Sequence, residues 1–176
     1  MTPHERLSAI GLSPVGRAST CAAEVRTLMA ATPLFSGLDA AETERLAAFM
    51  FVYDAPAGLT LITEGEVGDF MMLVMQGAVE VVRGGGAGSG SRIAVARAGQ
   101  ALGEMSMFDG EPRFASCVTR EPSRIAVLSR DAMMQVMQEE PRLGARVMLR
   151  LVQLLSERLR QTSAKLVTYI EAARES

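Results

Sequence analysis

The sequence predicts a mainly β domain, an antiparallel barrel or sandwich flanked by helices, and three observations predict it. Between residues 51 and 129, short β-rich stretches alternate with Gly, Pro or polar turns. A capped helical segment precedes that region. Beyond it, apolar residues return to helical spacing and keep that spacing almost to the end of the chain.

Residues 1–20 are rich in Ser, Pro and Gly and read as a disordered tail ahead of a domain over 21–176. Val25, Leu28 and Met29 recur at helical spacing within 22–31. "SGLDAAETERLAAFM" offers Asp39 as an N-cap with Glu42 three residues on, a capping-box variant, and predicts a helix to about Phe49. "AGLTLITEG", "FMMLVMQG", "AVEVVRG", "SRIAVARAG", "ASCVTRE" and "SRIAVLS" supply the strands of a barrel over about 50–129, with Gly65, Gly68 and Gly77 at tight turns. "GGGAGSGS" over 84–91 has two glycines at phosphate-loop spacing, but Ser91 and Arg92 stand where Lys and Ser/Thr belong. A hairpin surrounds it, and it reads as a flexible connection.

Helices return over about 130–173. "SRDAMMQVMQEEP" starts at a Ser cap and stops before Pro141, which opens the last helix. There Met148, Val152, Leu155, Leu159, Thr162, Leu166 and Tyr169 alternate at spacings of four and three, an a/d seam, beside a second stripe of Val147, Leu151 and Leu154. Two stripes fit two surfaces, the chain's own barrel and the helix of a second copy. A single broad face buried within a monomer is the alternative.

Composition narrows the function. The 176 residues suffice for one self-sufficient core, and a net charge of −2 advertises neither nucleic acid nor an anionic membrane. Cys21 and Cys117 make no C-x-x-C pattern, no secretory leader is evident and no apolar run is long enough to span a bilayer, so the expected setting is cytoplasmic and reducing, with no membrane partner. With His4 as the single histidine, a zinc site or a Ser-His-Asp triad lacks its parts. No metal site and no enzymatic activity are expected.

The stretch that carries chemistry is "GEMSMFDGEPRFAS", residues 103–116. A glycine lets backbone approach a ligand closely, and one helical turn over 104–108 would aim unpartnered N–H groups at an anion. Arg113 is a planar fork suited to two phosphate oxygens. Glu104 would repel a phosphate, so its natural task is to accept from a sugar hydroxyl. A surface salt bridge is the bland alternative. Together the four features describe a ribose phosphate held against a β-barrel.

On these residues, "GQALGEMSMFDGEPRFASCV" resembles the phosphate-binding cassette of the cyclic-nucleotide-binding domain family, which includes the catabolite activator protein and the regulatory subunits of cyclic-AMP-dependent protein kinase. "GEVGDFMMLVMQGAVEV", "TPLFSGLDAAETERLAAFM" and "SRDAMMQVMQEEPRL" resemble the flanking segments in the same order, and the likeness covers roughly 30–170. The resemblance implies a jelly-roll-like barrel, a double-stranded β-helix, with N-terminal helices and a long C-terminal dimerisation helix. It implies that Glu104 binds the ribose 2′-hydroxyl and Arg113 the cyclic phosphate, with Gly103, Met105 and Ser106 as backbone donors or wall and Phe114 and Ala115 among the ligand-binding residues. "RLRQTSAKL" resembles the dimerisation helix of the activator and places Thr162 and Ser163 over the adenine; two hydroxyls bonding the preceding turn is the alternative. Leu102 departs from the family's phenylalanine. Phe114 stands where Ala, Ser or Thr is usual, and the absence of a threonine there favours cyclic AMP over cyclic GMP, though its bulk would narrow the pocket.

The expectation is a cyclic-nucleotide receptor, needing no cofactor beyond its ligand, homodimeric through the last helix and signalling through an unidentified protein effector. The sequence ends at Ser176 without a helix-turn-helix, so no direct DNA binding is expected. A transcription regulator of the Crp/Fnr type lacking its own DNA-binding domain, or a ligand-free domain kept for protein contacts, are the alternatives.

Overall fold

The computed structural model describes residues 3–21, 27–29, 32–84 and 90–174. Its elements are helix α1 (Pro3–Ala9), strand β1 (Ser13–Arg17), a 3-10 turn (Pro33–Phe35), α2 (Ala40–Ala47), strands β2 (Phe51–Ala55), β3 (Thr60–Ile62), β4 (Phe70–Gln76), β5 (Ala78–Arg83), β6 (Ser91–Arg97) and β7 (Ala101–Leu102), α3 (Glu104–Asp109), β8 (Ser116–Thr119), β9 (Ser123–Ser129), α4 (Arg130–Glu139) and α5 (Pro141–Arg174). The strands form a five-stranded sheet, β1-β2-β9-β4-β7, and a four-stranded sheet, β3-β8-β5-β6. Their neighbours pair antiparallel throughout.

Strand β4 shows why the two sheets close on each other. "FMMLVMQ" is a continuous apolar run, which a one-sided sheet could not satisfy. Met71, Leu73 and Met75 point one way, into a cluster with Leu34, Phe35, Leu46, Met133, Val147 and Leu151 of the helical layer. Met72 and Val74 point the other way, into a cluster with Leu61, Ile62, Val79, Cys117, Ile125 and Val127 between the sheets. The period of two thus gives both faces a core.

Local signals fix the helix starts. Both halves of the capping box form: the Glu42 N–H donates to Asp39 Oδ1 at 2.8 Å and the Asp39 N–H to Glu42 Oε2 at 3.0 Å. This helix ends at Ala47, two residues short of the expected end. Ser129 caps α4 by accepting from the Ala132 N–H at 3.1 Å. Of the helix expected over 22–31, only 27–29 are described, and they are helical; the rest, and residues 85–89 of the hairpin connection, lie outside the described residues.

Residues 3–17 correct the expectation of a disordered tail. α1 buries Leu7, and β1 pairs with β2 from Ser13↔Asp54 to Arg17↔Phe51. His4, expected in that loose tail, sits 2.7 Å from the Tyr53 hydroxyl through Nδ1. Composition misled here, because the partners of Leu7 and Leu12 lie some fifty residues on.

α5 resolves the question of its two stripes. Val147 and Leu151 are buried and Leu154 packs beside them, so that stripe faces the chain's own core. Of the seam, Met148 and Leu155 are half-buried, whereas Val152, Leu159, Thr162, Leu166 and Tyr169 are exposed, Tyr169 by 74%. One broad internal face is therefore not the arrangement within this chain. Where α5 leaves α4, a Cβ on Gly144 would lie 3.0 Å from Met137 Cα, so the two helices touch nearly backbone to backbone.

Candidate functional site: an anion cradle at the β7–β8 loop

The loop between β7 and β8 is built around one buried arginine. Gly103 follows β7 with φ 75°, and a Cβ there would lie 2.5 Å from Arg113 Nη1 and 2.9 Å from Ile62 Cδ1. Only glycine combines that backbone with that proximity. α3 then runs to Gly110, and the first backbone bond within it is from Met107 N–H to the Gly103 carbonyl at 3.4 Å. The N–H groups of Glu104, Met105 and Ser106 thus precede any intrahelical acceptor.

Arg113 is 4% exposed. Its Nη1 donates to the Gly103 carbonyl at 2.6 Å and its Nη2 to the Phe70 carbonyl at 2.7 Å, while the guanidinium carbon stands 4.6 Å from the centre of the Phe70 ring. It passes Gly68 so closely that a Cβ there would fall 2.0 Å from Nε. Gly68, expected at a positive-φ turn, has ordinary backbone and is needed for space; Gly65 and Gly77 do have positive φ. Both acceptors are neutral, and among the described residues no carboxylate lies within ion-pair distance of Arg113. Burial lowers its pKa from the usual guanidinium value, with Asp69 and Glu104 opposing that shift. A desolvated cation lacking a counter-charge is costly, and an anion would remove the cost.

Glu104 is equally buried, and its partner was not foreseen. Arg158 of α5 donates through Nη1 to Glu104 Oε1 and through Nη2 to the Ala101 carbonyl at 2.6 Å. The available signal was helical spacing, since Arg158 lies one turn before Thr162 on the same face. At the far end of α3, Arg130 Nε donates to the Met107 carbonyl at 2.5 Å and Nη2 to that of Ser106 at 3.0 Å. The first residue of α4 therefore ties down the last turn of α3.

A model of the family described as "Cyclic nucleotide-binding domain" matches residues 54–140. The crystal structure of a cyclic nucleotide-binding domain from Methylobacillus flagellatus is 38% identical, with a TM-score of 0.77 over 89% of this chain and 88% of that one. The chain belongs to the cyclic-nucleotide-binding domain family. The Thermus thermophilus catabolite activator protein is 29% identical, with a TM-score of 0.68 over 77% of this chain and 62% of that one. A CRP-like cAMP-activated global transcriptional regulator of Mycobacterium tuberculosis is 27% identical over 143 residues, 81% of this chain and 62% of that protein. The chain thus spans less than two thirds of either regulator.

Within this cyclic-nucleotide-binding domain, the fold sets Gly103 against Arg113, with Glu104 and Ser106 on the helical turn that follows; Glu104, Ser106, Arg113 and Ala115 are all buried. Met105 is on the same helical turn but half-exposed. Phe114 does not join the buried set. Its ring is half-exposed beneath the Arg83 guanidinium, 3.9 Å from the ring centre, so its bulk is directed outward. Thr162 and Ser163 are exposed on α5, beyond Arg158. The hydroxyl that bonds back one turn on this helix is that of Thr168, to the Ala164 carbonyl at 3.2 Å. Among the described residues no group of His, Cys, Asp and Glu could hold a metal, and no helix is long and apolar enough to cross a membrane.

Proposed function

We propose that this domain is a receptor for a cyclic nucleotide, cyclic AMP ahead of cyclic GMP, and that it acts as a homodimer reporting occupancy to a protein partner. One observation carries the reading: a nearly fully buried Arg113 has only neutral carbonyl acceptors, beside a buried carboxylate and a turn of free N–H groups. A cyclic phosphate supplies the missing negative charge to Arg113 and the α3 N–H groups. The ribose 2′-hydroxyl donates to Glu104, whose second oxygen is not taken by Arg158 Nη1. Among the relatives, the mycobacterial regulator is described as cAMP-activated. Thr162 and Ser163 lie about one turn beyond Arg158, which ties α5 to the cradle, and pairing of the exposed seam with a second copy would enclose the base between the two helices. Among the described residues no nucleophile–base pair stands beside the arginine and glutamate, and the role proposed for the pair is ligand binding.

Calorimetric titration with cyclic AMP and cyclic GMP tests this directly. Saturable binding with cyclic AMP the tighter ligand is the expected result. No heat and no thermal shift with either nucleotide at millimolar concentration overturns it.

A further inference from the structure

Arg6 of α1 donates through Nη2 to both oxygens of Asp69, and its own Nε is buried without a partner. In the chain Asp69 stands between Gly68, over which the Arg113 guanidinium passes, and Phe70, whose carbonyl accepts from Nη2. Its carbonyl also accepts from the Arg130 N–H at 2.7 Å, at the start of α4. Arg6 comes from outside the family match, which begins at residue 54. Leu7 beside it is packed into the inter-sheet cluster with Ile62 and Leu102, the residues that line and precede the Gly103 turn.

We propose that Arg6 is a positioning residue for the anion cradle: it neutralises Asp69, so that the charge of Arg113 remains available to a ligand's phosphate. The proposal rests on the cyclic-nucleotide reading. Its basis is charge. The charged side chains whose fields act on Arg113 include Asp69, Glu104 and Arg6, and each of the two carboxylates is paired with an arginine, Asp69 with Arg6 and Glu104 with Arg158. Without Arg6, Asp69 is left unpaired beside Arg113 and competes with the phosphate for it. α1 is thereby more than a covering helix. It sets the potential of the pocket from residues that lie outside the barrel.

The test is a charge-rescue series on the full chain, read by calorimetric titration with cyclic AMP and by thermal melting. Arg6→Gln is expected to weaken binding about three- to tenfold, the difference shrinking at about 0.5 M salt. Asp69→Asn is expected to bind at least as tightly as wild type. The double variant, which restores the net charge, is expected to return to within about twofold of wild type. Arg6→Gln binding like wild type, or a double variant as weak as Arg6→Gln, overturns the proposal; a merely structural ion pair would give the second result, with a melting temperature lowered in both single variants. A wild type that binds no nucleotide removes the receptor reading and this role together, whereas a binding wild type with an unaffected Arg6→Gln removes only the role.

Discussion

Arg158 and Glu104, 54 residues apart in the chain, form an ion pair that joins the last helix to the floor of the anion cradle. The acid is buried and the base about half-exposed. Removing the base therefore strands a carboxylate, whereas removing the acid leaves an arginine that can turn to water. Arg158→Ala is expected to cost about 1–3 kcal/mol in urea unfolding, discounted from the fully buried case because Arg158 is half in solvent. Glu104→Gln should cost less. The double variant should cost less than the sum of the two, and strict additivity would mean that the pair is not coupled.

Arg113→Ala should weaken cyclic AMP binding by about ten- to a hundredfold, the worth of a charge-assisted, two-pronged contact. Gly68→Ala makes a sharper test. Its Cβ would occupy the guanidinium's position, so it should reproduce the Arg113→Ala loss although residue 68 carries no ligand-binding group. Titration of the two variants side by side decides this. A Gly68→Ala protein with wild-type affinity would show that Arg113 does not need its observed position.

The exposed seam of α5 predicts an oligomer. Leu159, 68% exposed, lies on that seam and far from the buried stripe. Leu159→Glu should convert a dimer to a monomer in light scattering while far-UV dichroism and the barrel's melting stay nearly unchanged. Thr162→Leu should do the reverse, tightening the dimer and blunting any nucleotide-driven movement of a spin label near Tyr169.

Cys117 makes the fold sensitive to alkali. Burial pushes its thiol from an ordinary 9.0 up to about 12. The folded chain keeps the proton where the unfolded chain releases it, so this contribution to stability is complete below about pH 9 and is lost as pH rises toward 12. Cys117→Ala should flatten the decline of stability across that window. Thiol reagents at pH 8 should label the partly exposed Cys21 and reach Cys117 only on unfolding.

What could be read in the sequence was what depends on neighbours a few residues away. The Asp39–Glu42 box, the Ser129 cap, the Gly103 turn and the pairing of Gly, Glu and Arg in one loop are local, and each fixes its own geometry. Residues whose meaning depends on distant partners were opaque. Gly68 looked like a turn glycine because nothing adjacent announces that Arg113 crosses it. Nothing near Arg158 in the chain announces Glu104, which lies 54 residues away. The apolar side chains of the first twenty residues were diluted by Ser and Pro, and only the remote strand β2 makes sense of β1. The size of Phe114 says nothing of its direction, which becomes plain only with Arg83 of β5 over the exposed ring.

The near-contact of Gly144 with Met137 turns α5 into a pointer with a short arm and a long one. From that contact to Arg174 the helix runs for about 45 Å at 1.5 Å per residue, and most of its outer half touches nothing else in the chain. A tilt of about 10° at the contact, which has to shift Val147 and Leu151 in the core and release the Arg158–Glu104 pair, sweeps the tip through about 8 Å, more than a full helical turn of rise. Repacking of a single methyl-sized gap where the helices cross is thus legible, at the tip, as a displacement large enough to open or close a protein–protein surface.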